Sequence, residues 1–185
     1  MTKALLIIDV QNAILSGKGT PERQPHIDAA LDETVIRLRA LQEKARIAGV
    51  PVVLVQHDGP PEHRLAVGTP GWAIRDEIAP AENDVVVHKK SCDSFFDTDL
   101  AERLKERSVT HLIIGGCMSQ FCVDTTVRRA VTLGYDVTLV ADGHMTADSG
   151  SLPFPAIVAH HNETLDGFDA GRAKVSVRPA AEIAV

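Results

Sequence analysis

The chain has 185 residues, 44% of them hydrophobic and 24% charged, with a net charge of −6. That is enough to bury a core without covalent staples, and we read residues 1–185 as a single domain. Lys and Arg are scattered among the acids with no basic stripe, which argues against nucleic acid or an anionic membrane surface as partner.

The opening "MTKALLIIDVQN" carries an apolar run of only five residues, 4–8, closed by Asp9. It is too short for the hydrophobic region of a signal peptide, and no segment approaches the length needed to span a bilayer. Three cysteines, an odd number, argue against a disulfide framework and for a reducing compartment, so a cytoplasmic location is expected.

In chain order, residues 3–9, 51–56, 84–89, 110–116, 136–141 and 174–177 read as strands. Most are continuously apolar rather than alternating, as strands buried on both faces of a parallel sheet should be. Residues 27–48 place Leu31, Val35, Leu38, Leu41 and Ala45 at helical spacing and stop at Gly49, a good residue to end a helix. Shorter helices are expected over 100–107 and 120–133, and a last one from about 151–153 through "AIVAHHNETLDGF". Alternation at this rhythm means βαβ units with right-handed crossovers. Residues 57–81 break the rhythm with "GPPE", "GTPGW" and "APAE". A loop that long in a compact domain usually belongs to a binding site.

In an open α/β sheet, ligands bind beyond the carboxyl ends of the strands. The first strand ends in Asp9, the third in Lys89, and the fourth leads to Cys122. An acid, an amine and a thiol converging from distant parts of the chain make a sensible set for nucleophilic catalysis. A helix beginning near Gln120 would favour thiolate at Cys122, Lys89 would favour it further, and Asp9 would take the thiol proton. Backbone N–H groups at this turn would stabilise an oxyanion. Each residue also has a plainer reading. A strand-ending Asp is often a turn residue, most lysines are solvated, and cysteines are commonly inert small hydrophobes. Cys117 and Cys92 suit that last role.

The surroundings favour the catalytic reading. "LLIIDVQN", "VVVHKKSCDSFFDTDL" and "LIIGGCMSQFCVDTTVRRAVTLGYDVTLVADG" resemble the isochorismatase-like cysteine hydrolase superfamily, which includes nicotinamidases and N-carbamoylsarcosine amidohydrolases. The features are an Asp with a Gln two residues on, a Lys six before a Phe with Thr and Leu beyond, and a Cys-Val with Thr nearby. The resemblance runs from about residue 3 to 177. It implies a Rossmann-like three-layer fold, with a six-stranded parallel sheet in order 3-2-1-4-5-6 and helices on both faces. It implies a catalytic triad of Asp9, Lys89 and Cys122, a non-proline cis peptide at Cys117–Met118, and an oxyanion hole from the N–H groups of Met118 and Cys122. Gln11 and Phe95 are expected near the pocket, with His57 and Trp72 contributed by the long loop. The sequence departs from the family at Asn12, Ile14 and Ser119, where an acid, Phe and Thr are common.

Nicotinamidases in this superfamily hold a metal with an Asp and two His in the region of "VQHDGPPEH". Here His57, Asp58 and His63 lack the Asp-x-His spacing, so no metal and no cofactor are expected. The expected activity is metal-independent hydrolysis of an amide-type C–N bond in a small molecule, through a thioester on Cys122. Vinyl-ether hydrolysis with Cys122 a bystander, and a redox-responsive or ligand-binding protein without turnover, are the alternatives. The resemblance also implies a homo-oligomer, a dimer or tetramer.

Overall fold

The computed structural model describes residues 2–185. Six strands form one all-parallel sheet: β1 (Lys3–Ile8), β2 (Val52–His57), β3 (Val85–Lys89), β4 (His111–Cys117), β5 (Asp136–Met145) and β6 (Val175–Arg178). Their order is β3-β2-β1-β4-β5-β6, the expected one. Four helices connect or flank them: α1 (Gln24–Ile47), α2 (Leu100–Glu106), α3 (Asp124–Thr132) and α4 (Phe154–Leu165).

The continuously apolar strands are explained by two cores, one on each face. Leu5 and Ile7 of β1 pack with Ile113 of β4 and with Ile27, Leu31, Val35, Leu38 and Leu41 of α1. The alternate residues Ala4, Leu6 and Ile8 pack on the opposite face with Leu112 and Ile114, Leu100 and Leu104 of α2, and Val127 and Val131 of α3. Successive side chains of a strand point to opposite faces, so a sheet covered on both sides needs apolar residues at every position. Among the described residues no helix is long and apolar enough to cross a membrane.

Three details differ from the sequence expectation. Helix α1 begins at Gln24 rather than residue 27, because Pro25 sits in its first turn, where a missing N–H costs nothing. The segment expected as one helix over 120–133 starts as a π turn, Ser119–Val123, before α3. Strand β5 runs to Met145 and its register with β4 shifts. Leu139 pairs with Ile114 but His144 pairs with Gly116, so β5 spends five residues where β4 spends two.

The carboxyl ends of β1 and β4 approach closely. A Cβ on Gly116 would overlap the backbone of Ile8, and its φ of +124° lies where side chains are disfavoured. Only glycine permits the contact that brings the end of β4 beside Asp9.

Candidate active site

Asp9 follows β1 with φ +52°, an uncommon backbone for a residue with a side chain, though one that Asp tolerates better than most. Its N–H donates to the Val55 carbonyl at 2.8 Å, so the twist is held from β2. Lys89 ends β3, two strands away, in register with His57 of β2. Its long side chain crosses β2 entirely buried and reaches the end of β1.

The Lys89 ammonium is the hub of the site. Nζ donates to Asp9 Oδ2 at 2.6 Å, to Cys122 Sγ at 3.2 Å and to the Ser91 carbonyl at 2.9 Å, and lies 3.5 Å from His57 Nδ1. Asp9 is fully buried, and its second oxygen, Oδ1, has no hydrogen-bond partner. Removing two opposite charges from water costs several kcal/mol per ion, and close pairing with extra hydrogen bonds is what offsets it. Burial pushes the Asp9 carboxyl up against the opposing pull of Lys89. Burial alone would lower Lys89, but Asp9 and Cys122 together hold it above its ordinary value, as an ammonium.

Cys122 belongs to the π turn, and α3 proper starts two residues later. Burial, and next the Asp9 charge, push its thiol up; Lys89 opposes them without prevailing. Lys89 favours thiolate, as expected, but burial and Asp9 outweigh it, so the sulfur rests as a protonated thiol facing the Asp9 carboxylate. Met118, just before the turn, accepts hydrogen bonds from the N–H groups of Phe121 and Val123, and its peptide bond with Cys117 is cis. Cys117 is buried in the α1-side core with its thiol pushed up by burial, Cys92 is exposed, and all three cysteines are free.

Beside this hub a cleft of about 560 Å³ is lined by His57, Asp58, Pro60, Ala66, Val67 and Lys90. Burial, then the Lys89 ammonium, hold His57 neutral, with a pKa lowered to about 4. Of the four residues expected to line a pocket, His57 does so. Gln11 is buried and its amide is committed to the backbone. Nε2 donates to the His57 and Trp72 carbonyls at 3.0 and 2.7 Å, and Oε1 accepts the His57 N–H at 3.0 Å. It ties the long loop to β1 and β2 and leaves no donor for a ligand. Trp72 donates from Nε1 to Asp58 at 2.8 Å and stacks on His88, bracing the loop outside the cleft lining. Phe95 is a core residue stacked on Tyr135, whereas its neighbour Phe96 is 65% exposed beside Lys89, Lys90 and Ser91. Irregular turn geometry decides which of two adjacent Phe faces outward, and residue spacing carries no signal of it.

His57, Asp58 and His63 do not fit a metal. An ammonium lies close to His57 Nδ1, Asp58 Oδ1 is taken by Trp72 and His88, and His63 Nδ1 accepts the Leu65 N–H. Sequence reading also missed a second buried cluster. Ser119 Oγ lies 2.8 Å from His144 Nδ1, and His144 Nε2 lies 2.9 Å from Asn162 Oδ1. The stretch holding Asn162 stood out, but nothing in the pattern marked His144.

A doubly wound parallel sheet, with an acid, an amine and a thiol meeting at its carboxyl edge, defines a class of small α/β proteins with a thiol-bearing site. Residues 3–153 match the model of the Isochorismatase domain, and the chain belongs to that family. It is 40% identical over 151 residues to a streptothricin hydrolase of Streptomyces noursei, covering 82% of this chain and 52% of that protein. The chain thus spans about half the length of that relative. It is 26% identical over 168 residues to the ureidoacrylate amidohydrolase RutB of Stutzerimonas stutzeri, covering 75% of this chain and 68% of that protein. Among solved structures, an isochorismatase from Pseudomonas putida KT2440 superposes with a TM-score of 0.85 at 28% identity, covering 98% of this chain and 90% of that one.

Proposed function

We propose that the protein is a metal-independent hydrolase of amide-type C–N bonds in small molecules, with Cys122 as nucleophile, Asp9 as base and acid, and Lys89 as the charge between them. One observation carries the reading. A single buried ammonium donates at once to Asp9 Oδ2 and to Cys122 Sγ, while Asp9 Oδ1 lacks a partner. Moving the thiol proton to Asp9 shifts the negative charge from oxygen to sulfur beside the same ammonium. The site stays neutral throughout, and no net charge is created in a buried place.

The thiolate then attacks the substrate carbonyl, and the oxyanion rests on the N–H groups of Met118 and Cys122. Asp9 returns its proton to the departing nitrogen, and the amine or ammonia leaves behind a thioester. Water, deprotonated by Asp9, hydrolyses it and restores the thiol. Support for amide chemistry comes from the relatives, named as a streptothricin hydrolase and a ureidoacrylate amidohydrolase. The metal-free reading rests on the donor set around His57, which an ammonium and a committed Asp58 leave unsuited to a cation. A homo-oligomer and a cytoplasmic location are proposed on the family resemblance and the cysteine count.

The test is amine or ammonia release from a panel of carboxamides, carbamoyl compounds and lactams, with acid-quenched intact mass to trap the acyl-enzyme. Turnover by wild type, an acyl adduct on the Cys122 peptide, and loss of both in Cys122→Ala support the reading. Full turnover of the same substrate by Cys122→Ala contradicts it and makes the thiol a bystander.

A further inference from the structure

The Ser119–His144–Asn162 cluster shares no hydrogen bond with Asp9, Lys89 or Cys122 and has no part in the mechanism above. Ser119 is fully buried and His144 is 2% exposed. Asn162, on the inner side of α4, donates from Nδ2 to the Ala141 carbonyl at 2.9 Å. That bond fixes the orientation of its amide, so Oδ1 faces His144 Nε2 as an acceptor at 2.9 Å. An acceptor there requires the imidazole proton on Nε2, which leaves Nδ1 as a lone pair. The Ser119 hydroxyl, 2.8 Å away, must then donate to it. Every proton in the chain is thereby assigned, from one backbone carbonyl of β5 to the first residue of the turn that carries Cys122.

The register shift in β5 is what aims His144 at this place. The extra residues inserted between Leu139 and His144 bring the imidazole opposite Gly116, at the end of β4. Bulges beside functional sites commonly re-aim one side chain in this way. The π turn is held by wider backbone hydrogen bonds, from the Val123 N–H to the Met118 carbonyl and from the Asp124 N–H to the Ser119 carbonyl, and Met118 before it supplies no side-chain cap. His144 supplies the missing anchor from a neighbouring strand. Burial holds His144 neutral, the form the chain of donors requires, with Asp142 and His161 as its ionisable neighbours.

We propose that His144, held by Asn162, is a positioning residue that locks Ser119 and thereby sets the orientation of the Cys122 sulfur toward Asp9 and Lys89. Its catalytic consequence rests on the hydrolase reading above; its effect on the sulfur does not. The test compares Ser119→Ala, Ser119→Thr and Asn162→Ala with wild type. It reads kcat and KM for an amide, the ratio of Cys122 to Cys92 alkylation by iodoacetamide from peptide mass spectra, and the His144 tautomer by long-range proton–nitrogen NMR.

Neutral His144 with its proton on Nε2 is expected, together with Ser119→Thr behaving as wild type. In Ser119→Ala, kcat should fall by about tenfold or more with KM within about twofold, and the Cys122 to Cys92 labelling ratio should change by about threefold or more. Asn162→Ala should shift the ratio the same way. A proton on Nδ1, or Ser119→Ala matching wild type in both kcat and labelling ratio, overturns the proposal. If no amide is turned over even by wild type, the hydrolase reading fails, and the labelling ratio and tautomer still decide the role of His144.

Discussion

Two polar clusters meet the π turn, one at Cys122 and one at Ser119, and they are built on opposite plans. Asp9, Lys89 and Cys122 are charged or chargeable, and one carboxylate oxygen is left without a partner. Ser119, His144 and Asn162 are neutral, and their side chains form an unbroken run of hydrogen bonds that ends on the Ala141 carbonyl. A site that must move a proton needs an unfilled acceptor next to a group that can lose one. A site that must hold a backbone in place does better with every bond made, since a satisfied buried network rigidifies what it touches. Under the proposed function, the difference between the clusters is a difference in task.

The comparison breaks most sharply at the sulfur. Cys122→Ala should lower turnover by at least about 10³-fold, in line with the loss of a covalent nucleophile. Cys117→Ala, which empties a buried thiol in the core, should leave kcat near wild type, as measured on the same amide.

The charged cluster should also be the fragile one. Lys89→Met leaves the Asp9 carboxylate buried without its partner, which typically costs about 3–5 kcal/mol. Asp9→Asn combined with Lys89→Met removes both charges and should recover much of that loss. Denaturant unfolding of the two variants checks the sign. A double variant less stable than Lys89→Met would mean that the pair does not balance its own burial.

The neutral cluster should reveal itself through acid. His144 titrates near its ordinary value of 6.5 when unfolded but at about 4 in the folded protein. The unfolded chain therefore binds the proton first as pH falls, and stability drops with decreasing pH. That contribution is intact above about pH 6.5 and is lost between about pH 6.5 and pH 4, on the order of 3 kcal/mol in total. His144→Gln, which cannot titrate, should flatten that part of the stability profile. His57 shifts in the same direction but is only half-buried, so solvent screening reduces its share.

How much of this was legible in the sequence follows from where the information lies. The strands were readable because a two-faced sheet demands unbroken apolar runs; their order came only with the family resemblance carried by the motifs around Asp9, Lys89 and Cys122. The π turn was not, since Ser119–Val123 has the composition of an ordinary helix start and only its hydrogen bonding distinguishes it. Phe95 and Phe96 are adjacent, and which one meets the core depends on an irregular turn. The Gln11 amide is spent on backbone contacts with a loop some sixty residues away, which local pattern cannot foresee. His144 was invisible because its placement depends on a register shift in β5.

The most direct test of the account is the alkylation rate of Cys122 relative to exposed Cys92, by peptide mass spectrometry, in wild type and in the Asp9→Asn/Lys89→Met double variant. The double variant avoids an uncompensated buried charge while removing both groups that poise the thiol. Because Asp9 can then no longer take the thiol proton as the sulfur attacks, the account predicts that Cys122 labelling slows by about tenfold or more while Cys92 is unchanged. Equal Cys122 rates in the two proteins would mean that Asp9 and Lys89 do not govern the sulfur, and the triad would be contradicted.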